Sequence, residues 1–157
     1  MSTAMETPPA ARDAEIELVT FYVSDLLFGA EIRYVEEINR HVNMTPVPQA
    51  PDSVRGVMNL RGEVVSVLDL RAILGLGRTE TTAQTRNVVV NVKGERTGLV
   101  VDRIADVVIA QQGEIEAPPA NMTSVCGRFL LGVHKLDREL LVVLNVPEVL
   151  AAMDAGS

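Results

Sequence analysis

The sequence is short of the residues that most often staple a fold or do chemistry. Among its 157 residues there is one cysteine, Cys126, with two histidines and no tryptophan. A lone cysteine closes no internal disulfide, which fits a reducing compartment, and in apolar surroundings it reads as inert packing. His41 and His134 are far apart, and neither has a Cys or His at metal-ligand spacing, so no metal site and no cofactor are expected. Cationic residues are the scarcer charge: 14 Lys and Arg against 21 Asp and Glu leave a net charge of −7. Nucleic acid, whose backbone calls for clustered positive charge, is not an expected partner. Asp, Arg, Asn or Gly interrupts every apolar run short of the roughly 18 residues a membrane span needs, so no direct membrane insertion is expected. Met1–Ala14 lacks the basic start and apolar stretch of a signal peptide and reads as a disordered tail on a cytoplasmic protein.

Catalytic patterns are missing as well. There is no GxSxG, P-loop or GxGxxG. Asp69 near Arg71, and Glu36 beside Glu37, are the kind of neighbouring charges that surfaces carry solvated. No catalytic residue is assigned, and the chain is read as a non-enzyme.

What is abundant is aliphatic. Apolar residues make up 47% of the chain and aromatics only 3%, so Val, Leu, Ile and Ala must fill the core. They come in strand-length runs separated by turn formers. Leu18–Val23 and Leu26–Ile32 flank Ser24 and Asp25. Arg33–Val42 suits a helical turn leading into a strand, and Pro46, Pro48 and Pro51 mark an extended linker. Gly56–Leu60 turns at Arg61 and Gly62 and returns as Glu63–Leu70, followed by a helical turn at Arg71–Leu74 and a polar connection at Arg78–Thr85. Asn87–Val92 and Gly98–Val101 form a hairpin about Lys93–Arg96, and Phe129–Leu136 and Leu140–Val146 form another about Asp137 and Arg138. A helix over Pro147–Met153 closes the chain.

These hairpins repeat. Gly56–Leu74 aligns without a gap on Gly132–Leu150, an offset of 76, with seven of nineteen positions identical, Glu63 and Glu139 among them. The leading hairpins align at an offset of 69, pairing Gly29 with Gly98, Val35 with Ile104, Glu37 with Asp106 and Ile38 with Val107. About five short strands and a helical turn per unit predict an all-β fold of two tandem five-stranded barrels sharing a core, since closure removes exposed sheet edges. The units are expected at 15–85 and 86–150, with a short tail over 151–157. Gly62 reads as a positive-φ turn residue, and Asn59 as a side chain that satisfies backbone there.

The stretch Val54–Arg71, VRGVMNLRGEVVSVLDLR, resembles the signature of the bacterial chemotaxis coupling proteins, the CheW family, whose hallmark is GVxNLRGxVVPVxDLR. The resemblance continues through Phe28–Gly29, Val35–Ile38, Gly98–Asp102 and Leu144–Val146, covering about Leu18–Leu150. It implies SH3-like barrels and a non-catalytic scaffold. Its implied partners are the cytoplasmic hairpin tip of chemoreceptors and the regulatory domain of the histidine kinase CheA, with ring assembly alongside the kinase. By the same resemblance Val35, Glu37, Ile38 and Arg61 match a receptor-binding groove. Core packing is the other reading of Val35 and Ile38, and a mutual ion pair is the other reading of Glu37 and Arg61. The candidates for kinase contact are Asn59, Arg61, Gly62, Glu63 and Val64, together with Val107 and Val108. Ser66 stands where the family usually has proline, and Pro147 replaces a usually polar residue. Those departures leave room for a relative serving surface motility or development. A coupling-like domain of a larger protein, a small-molecule-binding β-barrel and a merely oligomerising domain are the other readings.

Overall fold

A computed structural model describes residues 14–40, 44–120 and 127–156, with side chains described to Ala151. His41, Val42, Cys126 and nearly all of the expected N-terminal tail lie outside these residues. Among the described residues there are ten strands and two α-helices: β1 Glu15–Val23, β2 Leu26–Glu31, β3 Val35–Asn39, β4 Val54–Leu60, β5 Glu63–Asp69, α1 Leu70–Ile73, β6 Arg86–Val92, β7 Glu95–Val101, β8 Arg103–Gln111, β9 Leu130–Lys135, β10 Leu140–Leu144 and α2 Val146–Gly156. The helical turn before β3 is a short 3₁₀ segment, Ile32–Tyr34.

The strands form two five-stranded sheets, ordered β8-β1-β2-β10-β9 and β3-β6-β7-β5-β4. We term these sheet A and sheet B. The expected units at 15–85 and 86–150 are not the sheets. Each sheet takes two strands from one repeat and three from the other, because the third strand of each repeat crosses over and the closing hairpin follows it. The repeat itself is visible in the pairing. Gly29 faces Val143 across the parallel β2–β10 pair, and Gly98 faces Val67 across the parallel β7–β5 pair, so both sequence offsets meet at one structural position.

Nor are the sheets closed barrels. β8 and β9 remain the edges of sheet A, and β3 and β4 those of sheet B. Closure was expected to remove those edges. Instead β4 and β9 are each covered by one bridge from the preceding linker, Thr45 to Val57 and Glu116 to Val133. These crossings account for two repeated glycines. A Cβ on Gly132 would lie 2.5 Å from the Glu116 carbonyl oxygen, and one on Gly56 would be closer still to that of Thr45.

The core has three parts. Met58, Leu60, Val65, Val67, Val89 and Val100 fill the curve of sheet B. Leu18, Leu27, Ala110, Leu141 and Val143 do the same in sheet A. Between the sheets lies the shared core, with Phe21, Val88, Val90, Leu99, Val142 and Leu144 joined by Leu70 and Leu74 of the α1 region and Val149 and Leu150 of α2. Strands with both faces buried read as unbroken aliphatic runs, and Val88–Val90 is such a run.

Asp69 is buried, contrary to its reading as a solvated surface charge. It caps α1 by accepting from the Arg71 and Ala72 amides, and it accepts from the Thr79 amide at 2.9 Å and the Thr79 hydroxyl at 2.8 Å. Its cation is Arg55, at 3.3 Å, and not Arg71. Arg71 reaches the Leu76 carbonyl oxygen at 3.0 Å, the Ser24 hydroxyl at 3.4 Å and Asp102 at 3.7 Å, tying α1 to the β1–β2 and β7–β8 ends.

Candidate functional site

Three hairpins turn on two residues with a left-handed first residue, and two of them share side-chain chemistry. In the β4–β5 turn Arg61 and Gly62 have φ of 53° and 89°, and in the β6–β7 turn Lys93 and Gly94 have φ of 53° and 88°. Both match the type I′ geometry that suits strand twist. The Asn59 side-chain oxygen accepts from the Gly62 amide at 2.9 Å, and Asn91 does the same for Gly94 at 2.9 Å. The expected roles of Asn59 and Gly62 are therefore observed, and Arg61 also adopts positive φ. An arginine there carries its side chain clear of the sheet.

That side chain is 68% exposed and is ion-paired with Glu37 on β3, with Glu36 at 3.9 Å. β3 and β4 are the two edges of sheet B, so this pair spans the open side of the sheet where no backbone ladder runs. The network continues inward. Arg96 of β7 holds Glu36 at 2.8 Å and is also paired with Glu63 at the start of β5. Asn91 donates to Glu36 at 3.0 Å. The Asn91 and Arg96 donors hold the Glu36 carboxyl below its ordinary range, and the two carboxylates beside Arg96 raise its guanidinium.

The four residues matched to the receptor groove divide. Glu37 and Arg61 pair with each other. Ile38 is 40% exposed on the edge strand. Val35 is half-buried and packs on the shared core. Of the kinase candidates, Asn59, Arg61, Gly62, Glu63 and Val64 gather at the β4–β5 tip, where Val64 is 74% exposed. Val107 and Val108 are on β8, an edge of the other sheet. Val107 is 54% exposed, whereas Val108 packs beside the core of sheet A. A depression of about 540 Å³ lies where α2 approaches β5 and β7, lined by Val54, Val64, Leu68, Arg96 and Leu150 among others.

Two participants escaped the sequence reading. Arg96, read from sequence as part of the Lys93–Arg96 turn, lies instead on β7, because the turn closes at Lys93 and Gly94 and the strand resumes at Glu95. The other is Tyr22, whose hydroxyl donates to Glu139 at 2.8 Å while Arg103 stacks 3.8 Å over its ring. The Glu139 hydrogen bond raises the Tyr22 phenol. Among the described residues no three His, Cys, Asp and Glu side chains gather to hold a metal, and no helix is long and apolar enough to cross a membrane. His134 has a buried Nδ1 without a partner and stands alone on β9.

The geometry defines a two-sheet β domain that displays charged and apolar side chains on a braced hairpin tip. The CheW-like domain family matches residues 17–153, and the chain belongs to that family. The chemotaxis protein CheW of Treponema pallidum is 29% identical over 153 residues, covering 94% of this chain and 89% of that one. The chemotaxis protein CheW of Rhizobium meliloti is 32% identical, covering 85% and 86% of the two chains. The crystal structure of the scaffolding protein TtCheW from Thermoanaerobacter tengcongensis superposes with a TM-score of 0.76 at 29% identity, covering 83% of this chain and 88% of that one.

Proposed function

We propose that this chain is a scaffold of bacterial chemosensory signalling that couples methyl-accepting chemoreceptors to the histidine kinase CheA, so that receptor state controls kinase activity. The observation that carries this reading is the family match across 17–153, which takes in both sheets and the whole Val54–Arg71 signature. In the finer reading, the receptor's cytoplasmic hairpin tip docks beside β3, where Ile38 offers apolar surface next to the Glu37–Arg61 pair. A helical hairpin needs apolar anchors of this kind. The kinase regulatory domain meets the β4–β5 tip through Val64, with Val107 on sheet A as a second contact. The chain works in the cytoplasm beside membrane receptors and performs no reaction of its own.

The test is reconstitution with the receptor signalling fragment and kinase encoded in the same genome. The chain is expected to co-sediment with receptor arrays and to make kinase autophosphorylation depend on receptor. Binding to neither partner would overturn the proposal.

A further inference from the structure

The single charged residue identical in the two aligned hairpins is a glutamate at the start of the returning arm, Glu63 as the first residue of β5 and Glu139 just before β10. Each is tethered to the neighbouring hairpin of its own sheet, but by unrelated chemistry. Glu139 accepts from the Tyr22 hydroxyl, and Glu63 pairs with Arg96. The position equivalent to Arg96 in the first repeat is Leu27, which is buried and has no charge to offer. What the copies share is the tether, not its donor.

In sheet B that tether branches. Arg96 stands on β7, a central strand, opposite Asn91 of β6 and one residue before β5 joins at Thr97, so its backbone is held in the body of the sheet. Its Nε faces both oxygens of Glu36, at 2.8 and 3.1 Å, while another guanidinium nitrogen takes Glu63. One planar fork therefore ties the edge strand β3 and the base of the β4–β5 tip to the middle of the sheet, a geometry that a lysine, as a point charge, does not reproduce. It also engages Glu36, leaving Glu37 as the nearer partner of Arg61.

We infer that Arg96 is the positioning residue of the β4–β5 tip, fixing the angle at which Val64 and Arg61 face a partner. This rests on the tip being a partner surface, as proposed above. Val64 is 74% exposed directly beside the tethered Glu63, so any loosening of the tether changes how it is presented.

The experiment measures amide exchange by NMR in the intact chain for Gly62–Val65, with Val88 and Val142 as reporters of the folded sheets, in Arg96→Gln and Arg96→Lys. Kinase and receptor binding are measured on the same samples. Arg96→Gln is expected to speed tip exchange about tenfold with the sheet reporters unchanged, and to weaken partner binding several-fold, with Arg96→Lys in between. Faster tip exchange with unaltered binding would uphold the positioning role and overturn the assignment of the tip to a partner. Unchanged tip exchange in Arg96→Gln would overturn the positioning role itself, whatever binding does.

Discussion

Asp69 and Asn145 occupy the same place in the two repeats, each capping the helix that follows its hairpin. Asn145 accepts from the Glu148 amide at 3.3 Å, and Asp69 accepts from Arg71 and Ala72 while also anchoring Thr79. The amides of both residues bond to equivalent linker carbonyl oxygens, those of Ser53 and Phe129, at 2.7 Å.

Asp69→Asn should therefore cost more than a lost cap. The substituted amide places an N–H₂ where one carboxylate oxygen accepts, leaving a buried donor or acceptor unmet. Urea denaturation should show a loss of about 1–3 kcal/mol, whereas Asn145→Ala should cost about 1 kcal/mol.

Glycine replacements should rank by what surrounds them. Gly56 has φ of 149° and the Thr45 backbone across it, so Gly56→Ala should cost about 2 kcal/mol or more. Gly62, at φ 89° with no atom within 4 Å of an added Cβ, pays only for its conformation, and Gly62→Ala should cost about 1 kcal/mol. Thermal denaturation of the two variants checks the order.

Arg61→Ala should separate binding from folding. Its pair with Glu37 is largely solvated, and a double-mutant cycle with Glu37→Ala should give a coupling of about 0.2–1 kcal/mol in stability. Association with receptor or kinase should fall in the same variants, as read by pull-down. Val35→Asp should lower the melting temperature as well, because Val35 packs on the shared core.

The Glu36 network should show in the pH profile. Its carboxyl lies below the ordinary value of 4.5 because Asn91 and Arg96 hold the charged form. The stability it adds is fully present above that ordinary value and is lost as pH falls through the lowered one. Denaturation midpoints of the native chain and Glu36→Gln should converge in acid and separate toward neutrality.

Much of the fold was legible because local rules decide it. The runs about Ser24–Asp25, Arg61–Gly62 and Asp137–Arg138 turn where the sequence says they should, while the one expected over Lys93–Arg96 turns on Lys93 and Gly94, with Glu95 and Arg96 already on β7. The repeat was legible because Gly56 and Gly132 answer the same steric demand. Strand exchange was not, since alternation and turn chemistry fix neighbours along the chain and say nothing about which distant strand lies beside β1. Open sheet edges were missed for the same reason. At the site, the opposite charges of Glu37 and Arg61 suggested their pair, while Arg96, separated from Glu63 by 33 residues, had no local signal. The charge pair is also private to one sheet: the equivalent positions in the other are Asp106 and Asp137, two acids.

The exchange of strands between repeats gives this chain the connectivity of an intertwined dimer whose two subunits have been fused end to end. β1 finds β8, and β2 finds β10, across most of the chain. Neither half carries a complete sheet. Fragments cut within the 78–85 connection should each be unstructured alone and regain native circular dichroism when mixed, and the intact chain should fold slowly for its size, since its registering contacts close the longest loops first available to it. Two protomers' worth of surface are thereby locked into a single heritable unit, free to diverge at one tip without disturbing the other.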